Sequence, residues 1–186
     1  MIHIGIDFDD TLMDTRRSIV QLLNHKHNKS LKFEEIAEYG VSSLYNYSFK
    51  EFQAFFTNHL HELHTIKPEP FVKETLIALG GTHKCSVITG RPTEWMESAS
   101  DWITSNDLSI QHIFCASDYT GGKAECAAFH EVTHFIEDRS NDAISLAENG
   151  IDVFLLDKPY NRECRHARIT RVQDWQEIRT LIGGFV

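Results

Sequence analysis

Two aspartates, Asp7 and Asp9, follow directly on an alternating apolar run, Ile2, Ile4 and Ile6. Such a run predicts a strand with one buried face, and a strand that stops at carboxylates delivers them to its C-terminal end. Side chains at i and i+2 of an extended segment point to the same side, so Asp7 and Asp9 can face one small site. Two close carboxylates repel each other, which favours a site that binds a cation or shares a proton.

The same stretch, Asp7-Phe8-Asp9-Asp10-Thr11, has a simpler interpretation. Short side chains with oxygen atoms commonly cap the N-terminus of a helix or form a turn. On these five residues alone the two interpretations weigh about equally, so the rest of the chain has to decide between them.

Composition limits the class of protein. The chain has 186 residues, which suits one domain of ordinary size or a core domain with a modest insertion. Lys and Arg number 18 against 27 Asp and Glu, and the formal net charge is −9. We therefore expect no binding to long nucleic acid, which needs a basic excess to neutralise phosphates. A small phosphate ester is still compatible with a pocket that is locally basic or holds a metal.

The four cysteines, Cys85, Cys115, Cys126 and Cys164, are widely spaced and show no zinc-ligand pattern, which predicts buried, reduced thiols. No apolar run approaches the roughly 18 residues of a membrane span, and the start of the chain does not resemble a signal peptide. We expect a soluble, cytoplasmic protein without a membrane partner. The sequence leaves the oligomeric state open, a homodimer included.

Strands and helices that alternate along the chain must position the acidic residues. After the first strand, the pattern predicts helices over 15–25 and 33–39 and a third helix with an apolar stripe. The stripe consists of Phe49, Phe52, Phe56, Leu60 and Leu63. Lys67-Pro68-Glu69-Pro70 ends this inserted part, because two close prolines resist both helix and central strand.

From residue 71 the alternation becomes regular. We predict helices over 71–79, 93–105, a short segment after 123, 142–149 and 174–181, and strands over 85–88, 110–115, 132–136 and 151–156. This order implies right-handed crossovers and a parallel sheet. Polar groups follow the predicted strands at Thr89-Gly90-Arg91, Glu137-Asp138 and Asp157-Lys158. Because parallel strands end at one edge, these groups should share a crevice with Asp7 and Asp9.

In order and spacing, these motifs resemble those of the haloacid dehalogenase superfamily of phosphohydrolases. The matching residues are Asp7 to Thr11, Thr89, Lys123, and Asp138 with Asp142. Within the superfamily, the opening motif, Thr89-Gly90-Arg91-Pro92 and Lys158-Pro159-Tyr160-Asn161 are similar to the 5′-nucleotidase and 5′(3′)-deoxyribonucleotidase group.

The pattern and the resemblance together predict an α/β fold, a Rossmann-like three-layer sandwich around a central parallel sheet. Residues 1–14 and 68–186 would form the core domain. Residues 15–67 would form a small helical cap domain inserted after the first strand.

The resemblance also implies roles for the matched residues. Asp7 would attack phosphorus to form an aspartyl-phosphate, and Asp9 would protonate the leaving alkoxide and then activate a water. Mg²⁺, which prefers oxygen ligands, would be held by Asp7, the backbone carbonyl of Asp9 and Asp138. Thr89 and the free N–H groups of Gly90 and Arg91 would hold phosphate oxygens near a helix start.

Lys123 would neutralise Asp7 and the transferring phosphoryl group. The chain would then be a magnesium-dependent phosphomonoesterase, and more narrowly a nucleotidase that acts on (deoxy)nucleoside monophosphates. Three alternatives stay open at this point. One is a phosphatase of another small phosphate ester such as a sugar phosphate, and a second is an enzyme that transfers the phosphoryl group to an acceptor other than water. The third is a noncatalytic module that binds metal or nucleotide.

Several side chains keep two interpretations. Outside the motif set, Lys123 would be an ordinary solvated lysine. Glu137 would either adjust the metal's outer shell or cap the next helix, and Asp142 would orient metal-bound waters or Lys123. The guanidinium groups of Arg91 and Arg139 are expected in surface ion pairs.

The inserted part raises two further questions. Its aromatic residues would either form a helical core or stack a nucleobase. They are Tyr45, Tyr47, Phe49, Phe52, Phe55 and Phe56. The histidines His59, His61 and His64 are expected on a solvated helix face, because no acid and cysteine pattern accompanies them.

Overall fold

Six parallel strands form one sheet at the centre of the protein. In this computed structural model, which describes residues 1–38 and 40–183, the strands are β1 (His3–Ile6), β2 (Lys84–Thr89), β3 (His112–Cys115), β4 (His134–Glu137), β5 (Asp152–Leu156) and β6 (Ile169–Val172). Their order across the sheet is β3-β2-β1-β4-β5-β6. The strand order reverses between β1 and β4, which is where open α/β sheets form a ligand crevice.

Helices cover both faces of this sheet. One face packs against α4 (Val72–Gly80), α5 (Met96–Ser105) and α8 (Trp175–Gly183), and the other against α6 (Gly122–Phe129) and α7 (Ser140–Glu148). Successive side chains of a strand point to opposite faces of the sheet. Ile136 of β4 therefore packs in the core on the first face, and its neighbour Phe135 packs in the core on the second. The predicted α/β three-layer sandwich with a parallel sheet is confirmed.

The inserted part contains α1 (Thr15–His27), α2 (Phe49–Asn58) and the single turn α3 (Leu60–Leu63). Helix α1 begins where the Asp14 side chain accepts a hydrogen bond from the Arg17 backbone N–H. Helix α2 begins at a capping box formed by Ser48 and Glu51. This part has a hydrophobic cluster of its own, made of Ile19, Val20, Leu23, Ile36, Val41, Tyr45, Phe55, Phe56 and Leu63. The division into a core domain and a cap domain at residues 15–67 stays a prediction.

The structure corrects two predictions in the inserted part. The helix predicted over 33–39 is only a 3₁₀ turn at Phe33–Glu35, and residue 39 lies outside the described residues. The single helix predicted from the phenylalanine stripe is two helices, because the chain leaves the helical path at His59. Phe49 does not lie in a buried stripe: it is 79% exposed at the first turn of α2.

The sequence pattern also missed β6, because a short edge strand with two polar residues, Ile169-Thr170-Arg171-Val172, carries little apolar signal. All four cysteines are free and buried, as predicted. Within residues 1–38 and 40–183 no helix combines the length and apolar character that a membrane crossing needs.

Candidate active site

The ends of β1, β2 and β4 bring most of the predicted site residues to one cleft. This cleft has a volume of about 430 Å³, and Asp7, Asp9, Thr89 to Arg91 and Lys123 line it. Glu137 and Asp138 are buried next to Asp7. The convergence expected from strand ends is therefore present in the structure.

Lys123 is the centre of the charged contacts. A left-handed residue, Gly122, turns the chain into α6 and directs this lysine inward. Its Nζ lies 2.7 Å from Asp7 Oδ1, 2.7 Å from Glu137 Oε2 and 3.3 Å from Asp142 Oδ2. The alternative of a solvated lysine is wrong, since the side chain is only 8% exposed.

The electrostatics of this cluster follow from burial and crowding of negative charge. Burial raises the pKa of Asp7 to about 8, and Asp138 adds to the shift while Lys123 opposes it. Burial and Glu137 raise the pKa of Asp138 to about 8, and burial and Asp7 raise that of Glu137 to about 7. Burial lowers the pKa of Lys123, but its carboxylate neighbours together raise it well above its ordinary value. One lysine thus does not neutralise the three buried acids.

These acids fit a hard divalent cation. One carboxylate oxygen each from Asp7, Glu137 and Asp138 lie within 4.8 Å of one another, and an all-oxygen set suits Mg²⁺. Glu137 is already engaged, because Oε1 accepts from the backbone N–H groups of Asp138 and Arg139 and Oε2 accepts from Lys123. Glu137 thus accepts three hydrogen bonds, whereas Asp138 accepts two, from Tyr160 and Thr11, and Asp7 pairs with Lys123 through Oδ1. Asp7 and Asp138 keep more acceptor capacity and are the better candidates for direct ligands.

Asp9 is not a member of this group, and its carboxylate binds Arg91. The guanidinium donates from Nε to Asp9 Oδ2 at 2.8 Å and from Nη2 to Oδ1 at 2.7 Å, and Thr15 Oγ1 also donates to Oδ1 at 2.7 Å. Burial raises the pKa of Asp9, but the charge and hydrogen bonds of Arg91 and the bond from Thr15 outweigh it and hold the pKa below its usual value. The side-chain carboxylate of Asp9 is thus bound outside the acidic group.

Arg91 differs from the expectation in two ways. It is buried, with its guanidinium 4.3 Å from the ring centroid of Phe8 and 5.7 Å from that of Phe56, so a surface ion pair was the wrong prediction. Its backbone N–H donates to Thr89 Oγ1 at 3.1 Å and is not free for phosphate. Asp9 and Arg91 are 82 positions apart in the chain. The one sequence feature that they share is that each follows a predicted strand.

Tyr160 and Asn161 were missed as site residues. The Tyr160 hydroxyl donates to Asp138 Oδ2 at 2.5 Å, and Asn161 Nδ2 donates to the Asp138 backbone oxygen at 2.6 Å. The resemblance of Lys158-Pro159-Tyr160-Asn161 to a family motif was the only signal for these two residues, although Asp157-Lys158 had placed the start of the loop at a strand end.

In the described part of the chain, the one group of three or more possible metal ligands is Asp7 with Glu137 and Asp138, and it includes none of the three histidines of the inserted part. His61 is exposed, as expected for a solvated face. His59 and His64 are half-buried, contrary to that expectation, and His59 stacks on Phe55 with ring centroids 4.1 Å apart.

Comparison with known proteins agrees with this geometry. A family model described as 5′ nucleotidase, deoxy (pyrimidine), cytosolic type C protein (NT5C) matches residues 1–186. The relative named "Putative nucleotidase BH1399" from Halalkalibacterium halodurans is 27% identical over 186 residues, which cover 99% of this chain and 94% of the relative.

Two solved structures share the fold. The HAD family hydrolase from Deinococcus radiodurans with bound phosphate and sodium has a TM-score of 0.69 at 14% identity, covering 98% of this chain and 95% of that chain. The HAD hydrolase YfnB from Bacillus subtilis bound to magnesium has a TM-score of 0.67 at 13% identity, covering 98% of each chain. The fold is thus that of haloacid dehalogenase-like hydrolases. Because the family model spans the whole sequence, the chain belongs to the NT5C family of 5′ nucleotidases and is a hydrolase of phosphoric monoesters.

Proposed function

We propose that this protein is a magnesium-dependent nucleotidase that releases phosphate from (deoxy)nucleoside monophosphates through an aspartyl-phosphate on Asp7. One observation carries the proposal. The Asp7 carboxylate faces a cleft of about 430 Å³, is held 2.7 Å from Lys123, and shares the cleft with aromatic side chains of α2.

In the first step a carboxylate oxygen of Asp7 forms a bond to phosphorus, and the ester oxygen leaves with the electron pair of the broken P–O bond. Lys123 supplies positive charge beside the attacking oxygen. Asp7, Asp138 and the backbone carbonyl of Asp9 would hold Mg²⁺, which would supply positive charge that offsets the repulsion between a carboxylate and a phosphate. Thr89 and Gly90 line the cleft where they could hold phosphate oxygens.

Asp9 serves as the acid and base of the two steps. Its ionised form, which Arg91 and Thr15 stabilise, can accept a proton from the water that cleaves the intermediate. Protonation of the leaving alkoxide needs the carboxylic acid form. We therefore expect the first step to require that Asp9 loosen its contact with Arg91.

The aromatic wall of the cleft supports a nucleotide rather than a small sugar phosphate. Phe49, Phe52 and Phe56 of α2 and Trp95 line the cleft together with Gln53, a side chain that can hydrogen-bond a base edge. Phe56 and Trp95 already stack on each other, with centroids 4.5 Å apart. Phe49 keeps an exposed face that is available to a planar ligand.

Phosphate release from a panel of esters tests the function. We expect nucleoside and deoxynucleoside monophosphates to be hydrolysed faster than sugar phosphates in Mg²⁺, and removal of the metal with EDTA to lower the rate by about 10³-fold, since metal charge contributes several kcal/mol. Faster hydrolysis of sugar phosphates would instead favour the alternative that the protein is a sugar phosphatase. No release from any ester at any Mg²⁺ concentration would instead indicate a binding module.

Replacing Phe49 with alanine tests the base-stacking role. One stacked base contributes about 1–3 kcal/mol, so we expect kcat/KM for nucleoside monophosphates to fall about tenfold, mainly through KM, while hydrolysis of glycerol phosphate is unchanged. Phe129→Ala is the matched control, because Phe129 is 72% exposed and lies outside the cleft lining. Equal kinetics for the two variants on every ester would contradict the stacking role.

A further inference from the structure

Tyr160 lies in the loop that follows β5 and contacts the acidic group directly. Its hydroxyl donates to Oδ2 of Asp138 at 2.5 Å, and Thr11 Oγ1 donates to the other oxygen, Oδ1, at the longer distance of 3.4 Å. A hydrogen bond from a hydroxyl to a carboxylate is short and strong because the acceptor is charged. Of these two contacts, the one from Tyr160 therefore fixes the Asp138 carboxylate more firmly.

The ring of Tyr160 is itself held from the side of the inserted part. The guanidinium of Arg16, on α1, lies 4.5 Å from the ring centroid, and the Arg16 Nε bonds Asp10 Oδ2 at 2.9 Å. Phe33 meets the ring edge-on, with centroids 6.3 Å apart and an interplanar angle of 81°. These contacts restrict rotation of the phenol and so restrict where its hydroxyl can point.

Asn161 fixes the backbone beneath the phenol. It is 1% exposed, and its Nδ2 donates to the backbone oxygens of Asp138 at 2.6 Å and Leu156 at 2.7 Å. Its Oδ1 accepts from Arg171 Nη1 at 2.7 Å. The loop that carries Tyr160 is thus tied both to the end of β5 and to the residue that Tyr160 contacts.

We propose that Tyr160 is a positioning residue for Asp138, and that its hydroxyl keeps an Asp138 oxygen turned toward Asp7 where the two can ligate Mg²⁺. The inference rests on the proposed function in so far as Asp138 binds this ion. Partners that hold a metal ligand from outside usually change metal affinity by about 10- to 100-fold when they are removed.

Isothermal calorimetry of Mg²⁺ binding tests this role without any substrate. We expect Tyr160→Phe to weaken Mg²⁺ binding about tenfold or more. Tyr45→Phe is the matched control: the Tyr45 hydroxyl also donates a partly buried hydrogen bond, to Asn24 Oδ1 at 2.8 Å, but within the inserted part. This control should bind Mg²⁺ like the wild-type protein.

The outcomes separate the two proposals. If the wild-type protein binds Mg²⁺, Asp138→Asn abolishes binding and Tyr160→Phe binds normally, the positioning role is overturned and the magnesium site stands. If the wild-type protein binds no Mg²⁺, the magnesium dependence in the proposed function is wrong, and the positioning role is overturned as well. Should Tyr160→Phe not fold, Phe33→Leu loosens the ring without touching Asp138, and Mg²⁺ affinity equal to wild type in that variant also overturns the role.

Discussion

Asp7→Asn should lower phosphate release by about four orders of magnitude or more, as the loss of a covalent nucleophile does in other enzymes. The amide has nearly the shape of the carboxylate but cannot form the aspartyl-phosphate. Hydrolysis of nucleoside monophosphates and of an aryl phosphate in Mg²⁺ measures the effect. Mass spectrometry of acid-quenched wild-type protein should find one added HPO₃ group on Asp7, and the variant should lack it.

The same substitution should leave the fold intact. Burial raises the pKa of Asp7, so its charged form is the costly one in the folded protein, and a neutral amide avoids that cost. We expect a urea midpoint at pH 8 that is equal to or above that of the wild-type protein. Asp101→Asn, an exposed change on α5, is the control with normal activity. Unimpaired turnover in Asp7→Asn would rule out the nucleophilic mechanism.

Lys123→Met should damage both activity and stability. The ammonium group lies within 3.3 Å of three carboxylates, and its loss leaves Asp7 and Glu137 buried without their cation. Breaking a buried ion pair in this way costs about 3–5 kcal/mol of folding free energy. Under the proposed mechanism, loss of its positive charge beside Asp7 should also lower kcat by about 10³-fold. Urea unfolding and phosphate-release kinetics measure the two effects.

The loss of stability should grow with pH. In the unfolded chain Asp7 and Glu137 titrate near 4, whereas in the fold their pKa values are raised to about 8 and about 7. A carboxyl with a raised pKa in the fold binds protons more readily there, so stability falls as pH rises from the unfolded pKa through the folded one. Lys123 opposes both shifts, and its removal should therefore cost least near pH 5 and most at pH 8.

Lys73→Met is the matched control for this change. Lys73 forms an exposed pair with Asp107 at 3.2 Å, and such pairs contribute about 0–1 kcal/mol. We expect its effect to be small and nearly independent of pH between 5 and 8. If the loss of folding free energy in Lys123→Met were as independent of pH as in this control, the lysine would not stabilise the buried acids.

The sequence predicted the sheet and the meeting of Asp7, Thr89 and Asp138 because apolar strands and the polar residues after them are local signals. Lys123 follows no predicted strand, and only the family resemblance pointed to it. The pairing of Asp9 with Arg91 could not be predicted, since arginine and carboxylate side chains at a cleft have several possible partners. The exposure of Phe49 could not be predicted either. Its spacing fits a buried stripe, but the capping box starts α2 just before it, and at this first helical position its ring is exposed.

Tyr160 shows a different limit of sequence patterns. Nothing in its local sequence indicates a bond to Asp138, because the contact depends on how the loop after β5 folds back over the end of β4. Asn161 determines that path through hydrogen bonds to two separate strand ends. A contact between residues this far apart can be recognised only when the pairing of the strands that carry them is known.

Contact between distant positions also sets when the site can exist during protein synthesis. Thr11 and Asp138, which bond across the site, are 127 positions apart. At translation rates of about 5–20 residues per second, the first acidic stretch waits roughly 6–25 s for its partner to be made. For most of that interval neither Lys123 nor Asp138 has been made. A nascent or truncated chain that ends before β4 therefore contains Asp7 but lacks Glu137 and Asp138, and its acidic group is incomplete.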